Sequence, residues 1–414
     1  MRRYLNKKNF LLFCPKTHNF GGFHESLLWA LKIKKFNKKK IVINLPLISV
    51  HSHYRTFIKR SYGKKIIYDY FTKLSFQEKF LSILVSLLGN ILIFFCKIKL
   101  LALFNLISGK KLSKFEFPFL GFGLRRINEL NEYNHSEIEG ILKTRVNISK
   151  KQEIASTNGK LVSFCVKDNN YSTHKSISNF ATANINHYKK AINYLIENGY
   201  KVSRVGEDTM SNFEFNHVNF DDNCKSKNHF ELLHKKIEKS DFYFGTGASH
   251  SVIPDLYNKK KLLTNNIDFI QNCISSSYEN MAIFKKIFCL KKKKFLSLEE
   301  IFFDKKLFFL NIDNLIKDKE IILIENTPDE ILSVTKNFLH DSVKNQEISN
   351  LMIKYEALRE NAIKYYKKKN IKNFYIPLYE NSRITIPDSF LATYLIDSRD
   401  LHKISKKFCK EFNL

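Results

Sequence analysis

Apolar residues fall along this chain in short runs separated by stretches with helical periodicity. That alternation builds parallel sheets covered by helices. Near the start, Phe10–Cys14 reads as a strand, Gly21-Gly22 as a turn, Ser26–Ile33 as a helix and Ile41–Leu45 as a second strand. Residues 108–155 are polar and mixed, as in a connector carrying helices. A second alternating block follows: strand Leu161–Val166, helix Ile185–Asn198, strand Tyr200–Val205, helix His229–Lys239, strand Asp241–Phe244, helix Ser251–Tyr257 and a short strand Lys261–Leu263. Thr327, Pro328 and Glu330 spell a helix start, with Thr as N-cap, Pro at the first position and Glu closing a capping box. Past about 345 the chain reads as helical and charged, with an apolar piece at Phe390–Leu395. The pattern predicts an α/β protein with two Rossmann-like doubly wound domains, residues 1–150 and 151–345, and a helical extension over 346–414.

One apolar segment resists a single reading. Phe80–Cys96 is followed by a second run, Leu100–Ile107, and seventeen residues lie at the short edge for a spanning helix. Ser82, Ser86 and Asn90 recur every four residues, so one helical stripe is polar. A helix lying in a membrane interface, a core helix and a span all remain open. Lys73, Lys79, Lys97, Lys99, Lys110, Lys111 and Lys114 flank it and would favour an anionic leaflet.

Composition sharpens this. A length of 414 residues with 44% hydrophobic content excludes a disordered chain and is enough for two cores. Lys and Arg total 69 against 40 Asp and Glu, a formal net charge of +29. Only 11 of the 69 are Arg, so much of the charge reads as Lys written onto solvated faces; an anionic membrane is the next explanation. Nucleic acid has only the charge in its favour, because no helix-turn-helix or aromatic-interleaved basic motif occurs. Seven scattered cysteines without a Cys-x-x-Cys pair suit reduced thiols in the cytoplasm. The basic start Met1-Arg2-Arg3 precedes an apolar run too short for a signal peptide.

Three loops at predicted strand ends carry candidate chemistry, since open α/β sheets bind ligands there. In the first, Gly21 and Gly22 allow close backbone approach, and His24 and Glu25 are proton-transfer types at the mouth. An ordinary strand–helix turn, with Glu25 favoured by the helix dipole, explains the same residues. In the second, Lys167 and Asp168 end a strand as an adjacent cation and carboxylate, suited to a phosphate and a hydroxyl. In the third, Gly245, Thr246, Gly247 and Ser249 follow a strand as an anion-binding loop. Arg204, with Gly206 just after it, offers a planar fork for a diphosphate, with a surface ion pair as the alternative. The loop is neither a GxxxxGK[ST] phosphate loop nor a GxSxG nucleophile elbow. No Asp-x-Asp follows an apolar strand; Asp221-Asp222 reads as polar loop, so no metal site is expected.

These residues carry a resemblance. From Val162 to Asn265 the chain resembles a group of bacterial glycosyltransferases encoded with surface-polysaccharide genes, through VSFCVKDNNY, NFATANINHYKKAINYLIENGYKVSRVGE and DFYFGTGASHSVIPDLYNKKKLLTN. NTPDEIL at 326–332 and ITIPDSFL at 384–391 add outlying agreement. A looser likeness runs to fucosyltransferase-type enzymes. The resembled pattern has His and Arg before the Asp where this chain has Cys165 and Lys167, and Arg-Asn where it has Ala181-Thr182; Arg204, Gly206, Gly245, Thr246 and Pro254 are retained. The resemblance implies a GT-B-like, metal-independent glycosyltransferase needing no cofactor. Its donor is a nucleotide-sugar, held by Lys167, Asp168, Arg204, Gly206 and the Gly245–Ser249 loop. Its acceptor is a surface-polysaccharide or lipid-linked glycan near Gly21–Glu25, with Glu25 or His24 as base. Such an enzyme would work in the cytoplasm, peripherally on the inner face of the membrane, with no nucleic-acid partner. A non-catalytic membrane-associated protein that binds sugar or nucleotide but has lost donor-site cations is the alternative.

Overall fold

The computed structural model describes residues 10–13, 24, 28, 31, 32, 35, 40–43, 140, 141 and 143–145. It then describes 160–412 apart from 169, 171–181, 228, 248, 268–275, 309–315, 317–319, 342–347, 370–379, 381–382 and 396–397. Gly21, Gly22, Glu25, Ala181 and the whole of Phe80–Ile107 therefore lie outside the described residues. Among the described residues no helix is long and apolar enough to cross a membrane. The chain divides into two compact units, Met1–Glu153 with Asp255–Asn258, and Ile154–Pro254 with Lys259–Leu414.

In the first unit, β1 (Phe10–Phe13) pairs in parallel with β2 (Lys40–Ile43), Phe10 opposite Lys40 and Phe13 opposite Ile43. Parallel neighbours need a crossover, and helical residues lie between the two strands. His24, Leu28 and Leu31 are helical and buried, at a spacing of four and then three that suits one helical face. His24 is fully buried, so it sits on the core stripe of a helix and not at an exposed loop mouth.

The second unit is built on a seven-stranded, wholly parallel sheet. Its strands are β3 (Lys160–Cys165), β4 (Tyr200–Arg204), β5 (Phe220–Asp222), β6 (Phe242–Thr246), β7 (Lys260–Asn266), β8 (Ser276–Phe284) and β12 (Arg383–Thr385). They lie in the order β12-β8-β7-β6-β3-β4-β5. Counted from β3 this is 3-2-1-4-5-6 with one added edge strand, the Rossmann order. β3 and β6 are central and buried on both faces, which is why they read as continuous apolar runs without alternation.

The crossover from β3 to β4 is a 3-10 turn, Ile185–Tyr188, continued by α1 (Lys189–Glu197), whose Ala191, Ile192, Leu195 and Ile196 are buried. Helix α2 (His229–Lys239) joins β5 to β6. After β6 come a 3-10 turn, Ser249–Val252, and the short α3 (Ile253–Leu256). Phe164, Tyr188 and Phe244 meet with ring centroids 5.5–5.6 Å apart, fixing the first crossover onto the two central strands.

A second, antiparallel sheet has the order β10-β9-β11, from β9 (Lys286–Cys289), β10 (Lys294–Phe295) and β11 (Ile321–Ile324). Between β10 and β11 run α4 (Leu298–Phe303) and α5 (Lys305–Phe308). Helix α6 (Pro328–Asp341) starts as its sequence foretold: Glu330 N donates to Thr327 Oγ1 and Thr327 N to Glu330 Oε2, at 3.2 and 2.8 Å. The tail holds α7 (Asn350–Lys368), α8 (Asp388–Tyr394) and α9 (Ser398–Phe412). It is not helical throughout, because β12 adds the edge strand beside β8, and both belong to the second unit. Asp221 and Asp222, expected in a loop, lie on β5 and pair with Ser203 and Arg204. Their polar side chains hid an edge strand whose pairing comes from its neighbour.

Candidate functional site

In a doubly wound sheet the strand order reverses at one place, where the two neighbouring crossovers leave on opposite faces and open a crevice. Here that place lies between β3 and β6. The two strand ends are stitched together: Lys167 N donates to Thr246 Oγ1 at 2.9 Å, and Thr246 is fully buried. Gly245 lies opposite Cys165, and a Cβ built on it would fall 1.8 Å from the Cys165 carbonyl oxygen. This glycine is required by the approach of two backbones within the sheet, a different reason from the phosphate loop read in the sequence. Gly247 is half-buried just beyond the strand, and Ser249 opens the 3-10 turn. Gly206 is buried, where a Cβ would meet Met210 Sδ at 2.3 Å.

Arg204, at the end of β4, has no exposure to solvent. Its Nη1 donates to Asp222 Oδ2 and its Nη2 to the Ser211 carbonyl, both at 2.7 Å. Asp168 Oδ2 stands 4.0 Å from Nη2 and accepts from Ser211 N at 2.7 Å, while its Oδ1 accepts from Asn170 N at 2.9 Å. The guanidinium also lies over the Phe213 ring, 5.8 Å from its centroid. The expected diphosphate clamp is corrected accordingly: in this structure Arg204 and Asp168 hold the 206–213 loop onto the ends of β3 and β4. A guanidinium is the one cation that can do this, because its fork serves two acceptors in a plane.

The cations nearer the crevice are lysines. Lys167 is half-buried, and burial lowers the pKa of its ammonium while Glu207 pulls it back up. Lys285, which follows β8, is buried and donates to the Thr182 carbonyl at 2.5 Å, with Glu325 Oε1 4.0 Å away. Burial lowers its pKa first; Glu325 opposes that, and Lys167 adds like-charge repulsion. The backbone links the two lysines as well, since Ala183 N donates to the Lys167 carbonyl. Glu325 Oε2 accepts from Asn184 N at 2.8 Å and lies 3.6 Å from His187 Nδ1.

Beneath this cluster runs a buried polar network. Asn265 Nδ2 donates to Tyr188 Oη at 3.0 Å, Tyr188 Oη and Thr264 Oγ1 are 2.7 Å apart, and Thr264 Oγ1 donates to the Gly245 carbonyl at 3.4 Å. Asn265 and Asn326 exchange backbone N–H to side-chain oxygen bonds at 2.6 and 2.7 Å. Asn265 adopts φ +50°, a conformation Asn tolerates better than most residues. Lys285, Glu325 and Asn265 were not singled out from the sequence; Asn326 was legible only as the first residue of NTPDEIL.

Cys165, at the end of β3, is fully buried, with its Sγ 3.7 Å from His250 Nδ1. Burial pushes its thiol up to about 12, which keeps it protonated and unreactive at neutral pH. Cys224 is buried too and its pKa is raised by burial. Alkylation of the native protein followed by mass mapping is therefore expected to label the half-buried Cys289 and Cys409 well before Cys165 and Cys224. Labelling of Cys165 at the rate of Cys409 would show that this strand end opens in solution. Among the described residues no group of three or more His, Cys, Asp or Glu could hold a metal ion.

The structure thus gathers Lys167, Asp168, Arg204, Gly206, Gly245, Thr246, Gly247 and Ser249 at or just beyond the C-terminal ends of three adjacent strands. His24 belongs to the first unit, and Gly21, Gly22 and Glu25 lie outside the described residues. Fold and site define an α/β protein with a Rossmann-ordered sheet and a lysine-bearing switch point. The chain matches no family model, no curated protein and no solved structure.

Proposed function

We propose that this chain is a metal-independent, GT-B-like glycosyltransferase that moves a sugar from a nucleotide-sugar to a surface-polysaccharide or lipid-linked glycan at the inner face of the cytoplasmic membrane. The observation that carries the reading is the reversal of strand order between β3 and β6 with Lys167 at its mouth. A parallel sheet leaves a crevice there of the kind that takes nucleotides. Lys167, with Lys285 behind it, supplies positive charge for a diphosphate, and Gly247 and Ser249 form the loop beside it. Arg204 and Asp168 act one step back, holding the loop that borders the site. Positive charge at the departing diphosphate lowers the barrier to its loss, while a base takes the proton of the acceptor hydroxyl. Glu25 is the proposed base, since His24 is enclosed in a core.

Melting of the full chain against a panel of nucleoside diphosphates tests this. One of them is expected to stabilise the protein, by about 2.7 kcal/mol at a hundred times its Kd. Lys167→Ala is expected to weaken that binding about tenfold, as loss of a charge-assisted contact should. A panel with no stabilising nucleotide removes the proposal. Binding without sugar transfer to any glycan acceptor would instead leave a non-catalytic nucleotide-binding protein.

A further inference from the structure

We propose that the outer face of α9, together with the β9–β10 turn, is a docking surface for an anionic lipid bilayer. Helix α9 closes over the antiparallel sheet through Phe408, whose ring lies 4.8 and 5.0 Å from those of Phe288 and Phe295. Ser405 is fully buried on the same side and accepts from Phe295 N at 3.0 Å. With that side fixed, Lys403, Lys406, Lys407 and Lys410 are exposed, at spacings of three, four and seven that put them along one helical face. Cys409 Sγ approaches the Lys293 carbonyl at 3.8 Å, which brings the exposed Lys291, Lys292 and Lys293 of the turn beside the C-terminal end of α9.

Glu300 accepts from Lys292 and Lys294 at 3.0 and 2.9 Å, and Glu411 lies 4.0 Å from Lys407. Two features select a bilayer over nucleic acid. Apart from Arg399 at the start of α9, the cations here are lysines, compact point charges suited to a fluid anionic surface and poor at reading a base edge. Ile404, 44% exposed, stands among Lys403 and Lys407 on α9. An apolar side chain at the edge of a basic face can enter the headgroup layer, whereas a phosphate backbone gives it no partner.

Co-sedimentation of the full chain with vesicles tests the proposal. Binding is expected to mixed phosphatidylglycerol and phosphatidylcholine vesicles but not to phosphatidylcholine alone, with release at about 1 M salt. K406A/K410A is expected to weaken partitioning about thirtyfold, at the usual contribution of two surface lysines. K364A/K368A removes the same charge from exposed positions on α7 and should change it little. Ile404→Ser should also weaken it, with unaltered melting showing that the fold persists. Failure to bind phosphatidylglycerol vesicles, equal losses from the two lysine pairs, or tighter binding to duplex DNA at the same salt would each overturn it. The face belongs to a different sheet from Lys167, so a nucleotide-induced shift in K406A/K410A separates failure here from failure of the transferase reading.

Discussion

Gly245→Ala is expected to destabilise the sheet-bearing unit by about 3 kcal/mol or more. The new methyl carbon would stand 1.8 Å from the Cys165 carbonyl oxygen and 2.7 Å from its carbonyl carbon. Both are backbone atoms of the central strand β3, so neither can rotate away as a side chain would. The φ of +151° adds strain that an L residue rarely accepts. Relief would require β3 and β6 to separate where Lys167 N donates to Thr246 Oγ1, so the crevice should loosen with the sheet. Thermal unfolding is the measurement, with a fall of about 6–12 °C expected for a unit of this size. Gly199→Ala is the matched control: φ is +82°, but nothing lies within 4 Å of the added carbon, so only about 1 kcal/mol of backbone strain is expected. Equal losses at the two positions would mean that the close approach of the strands does not hold in solution.

Arg204→Ala should be as damaging or more so. It removes the cation from a site with no solvent exposure and leaves Asp222 Oδ2 and the Ser211 carbonyl without the guanidinium donors. The cost, about 3 kcal/mol, comes from the void left by a fully buried side chain and from the Ser211 carbonyl left unpaired, since Asp222, 27% exposed, can recover water. Arg204→Lys keeps the charge but cannot reach two acceptors in one plane, so it should recover only part of the loss. Asp168→Asn should be milder, since its amide oxygen can still accept from Ser211 N and the approach to Nη2 is already 4.0 Å. Urea titration of the three variants orders them. If Arg204→Ala melts like the parent and loses only nucleotide binding, the guanidinium is a ligand contact after all, and the loop-holding role assigned to it falls.

The sequence reading succeeded where information is local. Central strands β3 and β6 showed as apolar runs because burial on both faces removes alternation, and the start of α6 showed because a capping box lies within four residues. It failed at edges. β5 carries Asp221 and Asp222, and β12 is three residues in a tail otherwise full of helical pattern; each owes its strand geometry to an existing neighbour. The candidate site divides the same way. Lys167 and Thr246 could be paired in advance because both end apolar strands. Lys285 and Glu325 could not be placed beside Lys167, because their nearness follows from the position of β8 and β11 in the fold and from no spacing along the chain.

The roles of two residues changed for the same reason. Arg204 looked like a free cation because it ends a strand and Arg is scarce here; only the packing of Asp222, Ser211 and Asp168 around it shows an internal partner set. His24 looked exposed beside two glycines, and its spacing to Leu28 and Leu31 now places it on a buried stripe. By itself, then, the sequence determined the α/β class, the central strands and the strand ends where charge gathers, since each follows from local periodicity and burial. The tertiary structure alone decided the order of those strands, which cations face inward and which side of α9 remains exposed. Those are set by contacts between segments more than a hundred residues apart, such as Lys285 with Thr182 and Ser405 with Phe295.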